Sequence, residues 1–287
     1  LFQLWYASPL PFLLDFGKFI DVPARAIHLA FGMSLCFLAY PALKSKRNSS
    51  INIFDFALAL ISILATFYLV IEYEGLVYRQ GILASVDLFG FKVSYELILG
   101  SLGILLLLEA TRRAIGIPLV AIALIFLLFS IFGQKMPDLI SHQGLSITRL
   151  VGYHWFGGEA IFGIPISVSV SFIFLFVLFG ATLDAAGGGK YFLNLAFALV
   201  GKMRGGPAKA AILASGLTGL ISGSSVANTV TTGTFTIPIM KRTGLTPTKA
   251  GAIEVAASVN GQIMPPIMGA AAFVMAELLG ISYFTVI

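Results

Sequence analysis

The sequence predicts an all-α integral membrane protein, a polytopic helical bundle that contains a re-entrant helical hairpin and a discontinuous helix. Three observations predict it. Hydrophobic residues make up 58% of the 287 and charged residues 11%, with a mean hydropathy of +0.96, a balance that belongs in a bilayer. Windows such as Leu102–Leu108 and Leu119–Phe129 are apolar on every side, whereas barrel strands alternate apolar and polar residues over about 10 positions. From Gly205 to Ala272 the chain turns small, polar and glycine-punctuated, with Ile221-Ser-Gly-Ser-Ser-Val-Ala-Asn-Thr-Val-Thr-Thr-Gly233 and then Ala256-Ala-Ser-Val-Asn-Gly-Gln-Ile-Met-Pro-Pro266. Unsatisfied polar groups at bilayer depth cost several kcal/mol each, so such a stretch persists where it lines a cavity or binds something.

Residues 1–24 read as an interfacial or truncated segment, with Trp5 and Tyr6 at the headgroup level. Leu1–Phe16 lacks the basic leading region and cleavage site of a signal peptide. Residue 1 is Leu and Ser282–Ile287 continues an apolar run, so the chain reads as a fragment. A spanning helix needs roughly 20 apolar residues, and candidate windows lie near Ile27–Leu43, Ile53–Ile71, Tyr95–Glu109, Ile117–Phe132 and Ile164–Leu183. The net charge of +5 gathers at span ends and reports orientation, not a nucleic-acid partner. Lys44, Lys46 and Arg47 follow the first span and Arg112 and Arg113 the third, which puts those connectors in the cytoplasm and the second and fourth outside. Cys36 reads as a small buried hydrophobe. Glu109 reads as a local ion pair with Arg112 and Arg113, Asp55 and Glu277 as interfacial, and His142 and His154 as surface or interface residues of the outer connector 133–163.

Tyr191–Val200 is about half a membrane thickness long and is trailed by Lys202, Arg204 and Lys209. It reads as an amphipathic arm on the cytoplasmic surface, with Lys190 and Asn194 toward water and Phe192, Leu195 and Leu199 toward lipid. Pro207–Met240 has basic residues on both sides and, at roughly 50 Å if helical, is too short for two crossings. A re-entrant hairpin resolves this: one limb Ala208–Ile221, a broken tip Ser222–Thr232 and a return limb Thr234–Met240. The element from Thr248 to about Leu279 is interrupted by Asn260-Gly261 and Pro265-Pro266, which predicts a discontinuous helix. Carbonyls freed at such a break ligate cations, and donors at the restart favour anions.

The tip offers the hydroxyls of Ser222, Ser224, Ser225, Thr229, Thr231 and Thr232 and the amide of Asn228. Uncharged oxygen ligands favour Na⁺ over a transition metal, and His and Cys are absent after His154. Gly219, Gly223 and Gly233 permit close backbone approach. The alternative is that the small residues merely pack helices closely. Glu254, in the first half of the broken helix, is either a proton or ion relay or the partner of Lys249.

Arg25-Ala-Ile-His-Leu-Ala-Phe31, Leu108-Glu-Ala-Thr-Arg-Arg113, Gly205-Gly-Pro-Ala-Lys209, Ser222-Gly-Ser-Ser-Val-Ala-Asn228, Thr236-Ile-Pro-Ile-Met-Lys241 and Met264-Pro-Pro-Ile-Met-Gly-Ala-Ala-Ala-Phe273 together resemble the fused membrane permease of the tripartite ATP-independent periplasmic (TRAP) transporters. Within that family they resemble the branch served by TAXI-type receptors. The resemblance implies that 25–132 corresponds to the four-helix small subunit, 164–204 to a scaffold helix and arm, and 205–287 to an incomplete transport domain, with the other half of the large subunit as a partner. It further implies an elevator-type transporter of the bacterial or archaeal cytoplasmic membrane, importing small organic acids delivered by a periplasmic receptor, with Na⁺ as coupling ion and no other cofactor. Carried over residue by residue, the ion and substrate site falls on Ser222, Gly223, Ser224, Ser225, Asn228, Thr229, Thr232 and Gly233 of the hairpin and on Ser258, Asn260, Gly261 and Pro265 of the broken helix. Na⁺ itself would lie at Ser222, Ser225, Asn228, Ser258 and Asn260. Proton coupling is the alternative within the same architecture. Two other classes compete: an intramembrane serine hydrolase at Ser224 or Ser225, which would need a distant histidine such as His154, and a structural or channel-forming subunit.

Overall fold

A computed structural model describes residues 1–19, 21–42, 52–79, 82–88, 91–265 and 268–287. Lys44, Lys46, Arg47 and Pro266 lie outside the described residues. Among the described residues, four helices are long and apolar enough to cross a membrane: Asp21–Ala39 (α1), Ile53–Tyr78 (α2), the helical run Ile117–Lys135, whose α-helical part is Ile117–Phe132 (α4), and Ile164–Ala185 (α5). The chain is a multi-pass membrane protein. The remaining expected span lies in Tyr95–Ala114 (α3), a 20-residue helix with Glu96 near its start and Glu109, Arg112 and Arg113 near its end.

Two compact units divide the chain. In the first, Ser8–Ser167, α1 and α2 pack closely through buried small residues, Ala26 and Ala30 on one and Ala59, Ser62 and Ala65 on the other. Asn52 caps α2 by accepting from the Phe54 N–H, and Ser94 caps α3 by accepting from that of Leu97. Between them lies a small antiparallel hairpin, Val86–Leu88 (β1) and Phe91–Val93 (β2), which pairs Asp87 with Lys92. Trp155 is fully buried against α3, where a Cβ on Gly103 would lie 2.2 Å from its ring.

Several charges at the helix ends of this unit are paired. Asp55, expected at the membrane interface, is buried: Arg113 donates to its Oδ1 at 2.7 Å, and both side chains are 3% exposed. The same guanidinium reaches Glu109 at 2.7 Å and the Tyr40 carbonyl at 3.1 Å. Glu109 also pairs with Arg112 at 2.7 Å, as the local spacing predicts. Glu96 is fully buried and accepts from Tyr68 at 2.6 Å, from Arg79 at 2.8 Å and from the Ala84 N–H, which ties the chain just before β1 to α2 and α3. His142 and His154, both half-buried, make hydrogen bonds to main-chain groups from the connector. The His142 ring contacts the Phe129 carbonyl at 3.0 Å and accepts from the Gly144 N–H at 3.1 Å, and the His154 ring contacts the Leu150 carbonyl at 2.9 Å. Cys36 is half-buried, its thiol donating to the Ala110 carbonyl at 3.3 Å.

The second unit comprises Leu1–Ala7 and Val168–Ile287, and α5, which holds a π turn at Ser169–Ile173, carries the chain into it. Gly188–Val200 (α6) is a helix over the segment read as the arm. Its Leu193 and Ala196 pack on Ala214 and Leu213 of Gly206–Ser222 (α7), with Lys190, Asn194 and Leu199 exposed. α7 and Ser225–Arg242 (α8) form a helical hairpin. Its interruption is shorter than predicted, Gly223 and Ser224 rather than Ser222–Thr232. Gly223 takes φ +57, a left-handed cap, and the Ser224 hydroxyl accepts from the Ala227 N–H, restarting the helix at once. Downstream hydroxyls do not open the backbone because they fold back on it: Thr229 and Thr231 donate to the carbonyls of Ser225 and Ala227 at 2.8 and 2.9 Å.

Pro247–Val259 (α9) follows a Thr246 cap and ends in a 3-10 turn at Asn260–Gln262; helix resumes only at Ala270–Leu279 (α10). The discontinuous helix is therefore present. Its irregular stretch folds back on itself, with the Gly269 N–H donating to the Gln262 carbonyl at 2.7 Å and Met268 at φ +55.

Candidate functional site

Hairpin tip and broken helix meet at two glycines. A Cβ on Gly219 of α7 would lie 2.3 Å from the Gly261 Cα, so the two backbones touch where any side chain would part them. A Cβ on Gly261 would in turn lie 2.9 Å from the Asn228 amide nitrogen. Asn228 is fully buried, and its Nδ2 donates to both the carbonyl and the hydroxyl of Ser215, each at 2.8 Å. Because a carbonyl must accept, this fixes the orientation of the amide. Its Oδ1 is left buried without a donor among the described residues. Ser258 stands beside this group, 3.4 Å from the Ser215 hydroxyl.

The other predicted residues separate into three groups. Ser225 accepts from the Gln262 amide at 3.1 Å, a second link between tip and break; Gly223 sits at the turn with its carbonyl 3.4 Å from where a Cβ on Gly269 would lie. Ser222 faces a different space. With Thr218, Ser224, Thr231, Asp184 and Gly180 it lines a cavity of about 290 Å³ between α5 and the hairpin, and the hydroxyls of Thr218 and Ser222 are buried there without partners among the described residues. Thr232 and Gly233 lie further along α8 against Glu254: Thr232 and Thr236 both hydrogen-bond its carboxyl, and a Cβ on Gly233 would lie 3.1 Å from its Cγ. The alternative pairing of Glu254 with Lys249 does not form: Glu254 is fully buried whereas Lys249 is exposed. Asn260 opens the 3-10 turn and is half-buried, and Pro265 is exposed.

Sequence reasoning missed Ser215, Thr218 and Thr236. The signal for the last was available, since Asn228, Thr232 and Thr236 recur every four residues and share one face of α8. Ser215 and Thr218 are ordinary in pattern and become notable only through what they touch. A metal-binding group of three or more His, Cys, Asp or Glu side chains does not occur among the described residues, and the group around Asn228 offers hydroxyl, amide and main-chain oxygens.

The geometry can be set beside known proteins. The family model for the tripartite ATP-independent periplasmic transporter, DctM component, matches residues 102–287. The chain is 33% identical over 153 residues to the uncharacterized protein YgiK of Salmonella typhimurium, covering 53% of this chain and 32% of that one. It is also 33% identical over 100 residues to a putative TRAP transporter large permease protein of Haemophilus influenzae, covering 35% of this chain and 24% of that one. The matches thus span about a third or less of the relatives' own length. No solved structure matches the chain. The match to the family model takes in α4 to α10 and with them the whole of the hairpin and broken helix, and the chain belongs to the DctM component family of TRAP transporters, a family of transporters and not of enzymes.

Proposed function

We propose that the chain forms part of the permease of a Na⁺-coupled secondary transporter that imports small organic acids across the cytoplasmic membrane of a bacterium or archaeon, without ATP. A TAXI-type periplasmic receptor would deliver the substrate, and the hairpin with its broken helix would move as an elevator against a scaffold. Membership of the family and the two interrupted elements support this reading.

The observation that carries the Na⁺ assignment is the Asn228 side-chain carbonyl, fully buried and without a donor among the described residues. A buried acceptor left unmet costs about 1–3 kcal/mol. A hard monovalent cation supplies what it lacks, and uncharged oxygens at a helix interruption are its usual ligands. In this proposal Asn228 Oδ1 anchors the ion, with Ser225, Ser258 and Asn260 of the two interrupted elements as further ligands, while the hydroxyls of Thr218 and Ser222, without partners among the described residues, offer donors to the substrate's carboxylate from the neighbouring cavity. Thr232 and Gly233 stand outside the ion site.

The test is thermal unfolding of the intact permease in detergent while Na⁺ replaces choline at constant ionic strength. A ligand at about 100 times its dissociation constant stabilises by roughly 2.7 kcal/mol. Wild type should show a Na⁺-specific rise in melting temperature and Asn228→Ala none, at a similar baseline. A wild type indifferent to Na⁺ rejects the assignment, and an Asn228→Ala protein that keeps the full shift moves the ion elsewhere.

A further inference from the structure

The unit Ser8–Ser167 holds a recess of its own. At the end of α2 that the positive-inside pattern assigns to the outer face, Tyr73, Leu76 and Val77 line a cavity of about 450 Å³ together with Arg149, Tyr153 and Phe156 of the outer connector. The connector forms this wall with a short helix, Ile147–Val151, that runs into a π turn at Gly152–Phe156. All six residues belong to this one unit, and none takes part in the ion site proposed for the hairpin.

The depth of the cavity follows from the length of α2. Ion-paired charges stand at both of its ends, Asp55 with Arg113 near the first and Glu72 and Glu96 with Arg79 near the last. Tyr73 stands roughly 30 Å along the helix from Ile53, about the thickness of the hydrocarbon core. The cavity therefore lies where acyl chains give way to headgroups, the level at which tyrosine is enriched.

Its wall is two-sided in chemistry. Arg149 is an exposed cation that forms no ion pair among the described residues, and no acidic side chain among them lines the cavity. With the hydroxyls of Tyr73 and Tyr153 it surrounds one space with donors, and a guanidinium fits the oxygens of a phosphate or carboxylate in pairs. Leu76, Val77 and Phe156 make the rest of the wall apolar. A free inorganic anion would use the donors and leave the apolar wall in water. A phospholipid uses both, with its phosphate on the donors and its glycerol and upper acyl carbons on the wall.

We infer that this cavity binds the phosphate of an outer-leaflet phospholipid, with Arg149 as the partner of the anion and the Tyr73 and Tyr153 hydroxyls donating to it. The bound lipid fastens the connector to the outer end of α2.

The test is the melting temperature of the intact permease, stripped of lipid in detergent, on addition of dioleoylphosphatidylglycerol, of dioleoylglycerol, which lacks the phosphate, or of inorganic phosphate. Phosphatidylglycerol should raise it in wild type and the other two should not. Arg149→Gln should lose most of that rise while melting near wild type without lipid, because no buried charge is left behind. Lys135→Gln, which removes an exposed cation of the same connector that does not line the cavity, should keep it. A wild type indifferent to phosphatidylglycerol, or an equal rise with dioleoylglycerol, overturns the phosphate contact, and an equal rise with inorganic phosphate replaces the lipid by a free anion. A rise lost equally in Lys135→Gln reduces the effect to surface charge and rejects the site. A rise kept in full by Arg149→Gln also rejects it and leaves that cation to an acidic face of a partner protein. Should Arg149→Gln not fold, Tyr73→Phe combined with Tyr153→Phe supplies the reading, and an undiminished rise there rejects the cavity.

Discussion

Gly219→Ala is expected to lower the melting temperature of the intact permease and to abolish the stabilisation by Na⁺ proposed above. The added Cβ would meet the Gly261 backbone, at 2.3 Å from Cα, 3.2 Å from N and 3.3 Å from C. A flexible side chain can step aside, but a backbone held in a 3-10 turn cannot without carrying the turn with it. Overpacking of this kind costs about 1–3 kcal/mol. The displacement also reaches the proposed ion site, because Gly261 lies against the Asn228 amide, whose two bonds to Ser215 hold its free carbonyl in place. The control is Gly251→Ala, also on the broken helix, where a Cβ would meet nothing within 4 Å. There alanine should stabilise by about 0.5–1 kcal/mol through helix propensity alone and leave the Na⁺ response intact. Equal melting temperatures for Gly219→Ala and wild type would show that the two backbones do not touch in the working protein.

What the sequence made legible follows from which interactions are local. The membrane class and the long spans rest on runs of adjacent apolar residues, and the interruption of the second element rests on Asn260-Gly261 and a following proline pair, so both could be read directly. The length of the tip could not. Serine and threonine favour helix interruption by composition, yet Ser224 caps the next helix and Thr229 and Thr231 donate to carbonyls four residues back, which is helix-compatible and shortens the break to two residues. For Glu254 local spacing offers Lys249, on the same helix, as one of two readings; its actual partners are 22 and 18 residues away. Local spacing predicted the pairing of Glu109 with Arg112 and Arg113 and was right for that reason. It was silent on Asp55, whose partner is 58 residues distant.

That distant pair carries the largest stability effect expected in the unit Ser8–Ser167. Arg113 is the last-turn cation of α3, Asp55 lies in the first turn of α2, and Tyr40 directly follows α1. One guanidinium therefore fastens the ends of three helices, and it also lies over the Phe37 ring at 4.9 Å. Arg113→Met should cost about 3–5 kcal/mol, because it leaves a buried carboxylate unpaired; the Ala42 N–H, at 3.4 Å from both Asp55 oxygens, is a weak substitute. Arg113→Lys should recover only part of that loss, since an ammonium cannot reach Asp55, Glu109 and the Tyr40 carbonyl with the fixed fork that serves all three. Removing both charges with Asp55→Leu and Arg113→Met should cost less than Arg113→Met alone, because replacing a buried pair with apolar side chains is often close to neutral. Thermal unfolding of wild type, Asp55→Leu, Arg113→Met and the double variant closes a double-mutant cycle. A double variant no more stable than Arg113→Met would mean that Asp55 is not buried with its charge, and the pairing that joins the three helix ends would have to be abandoned.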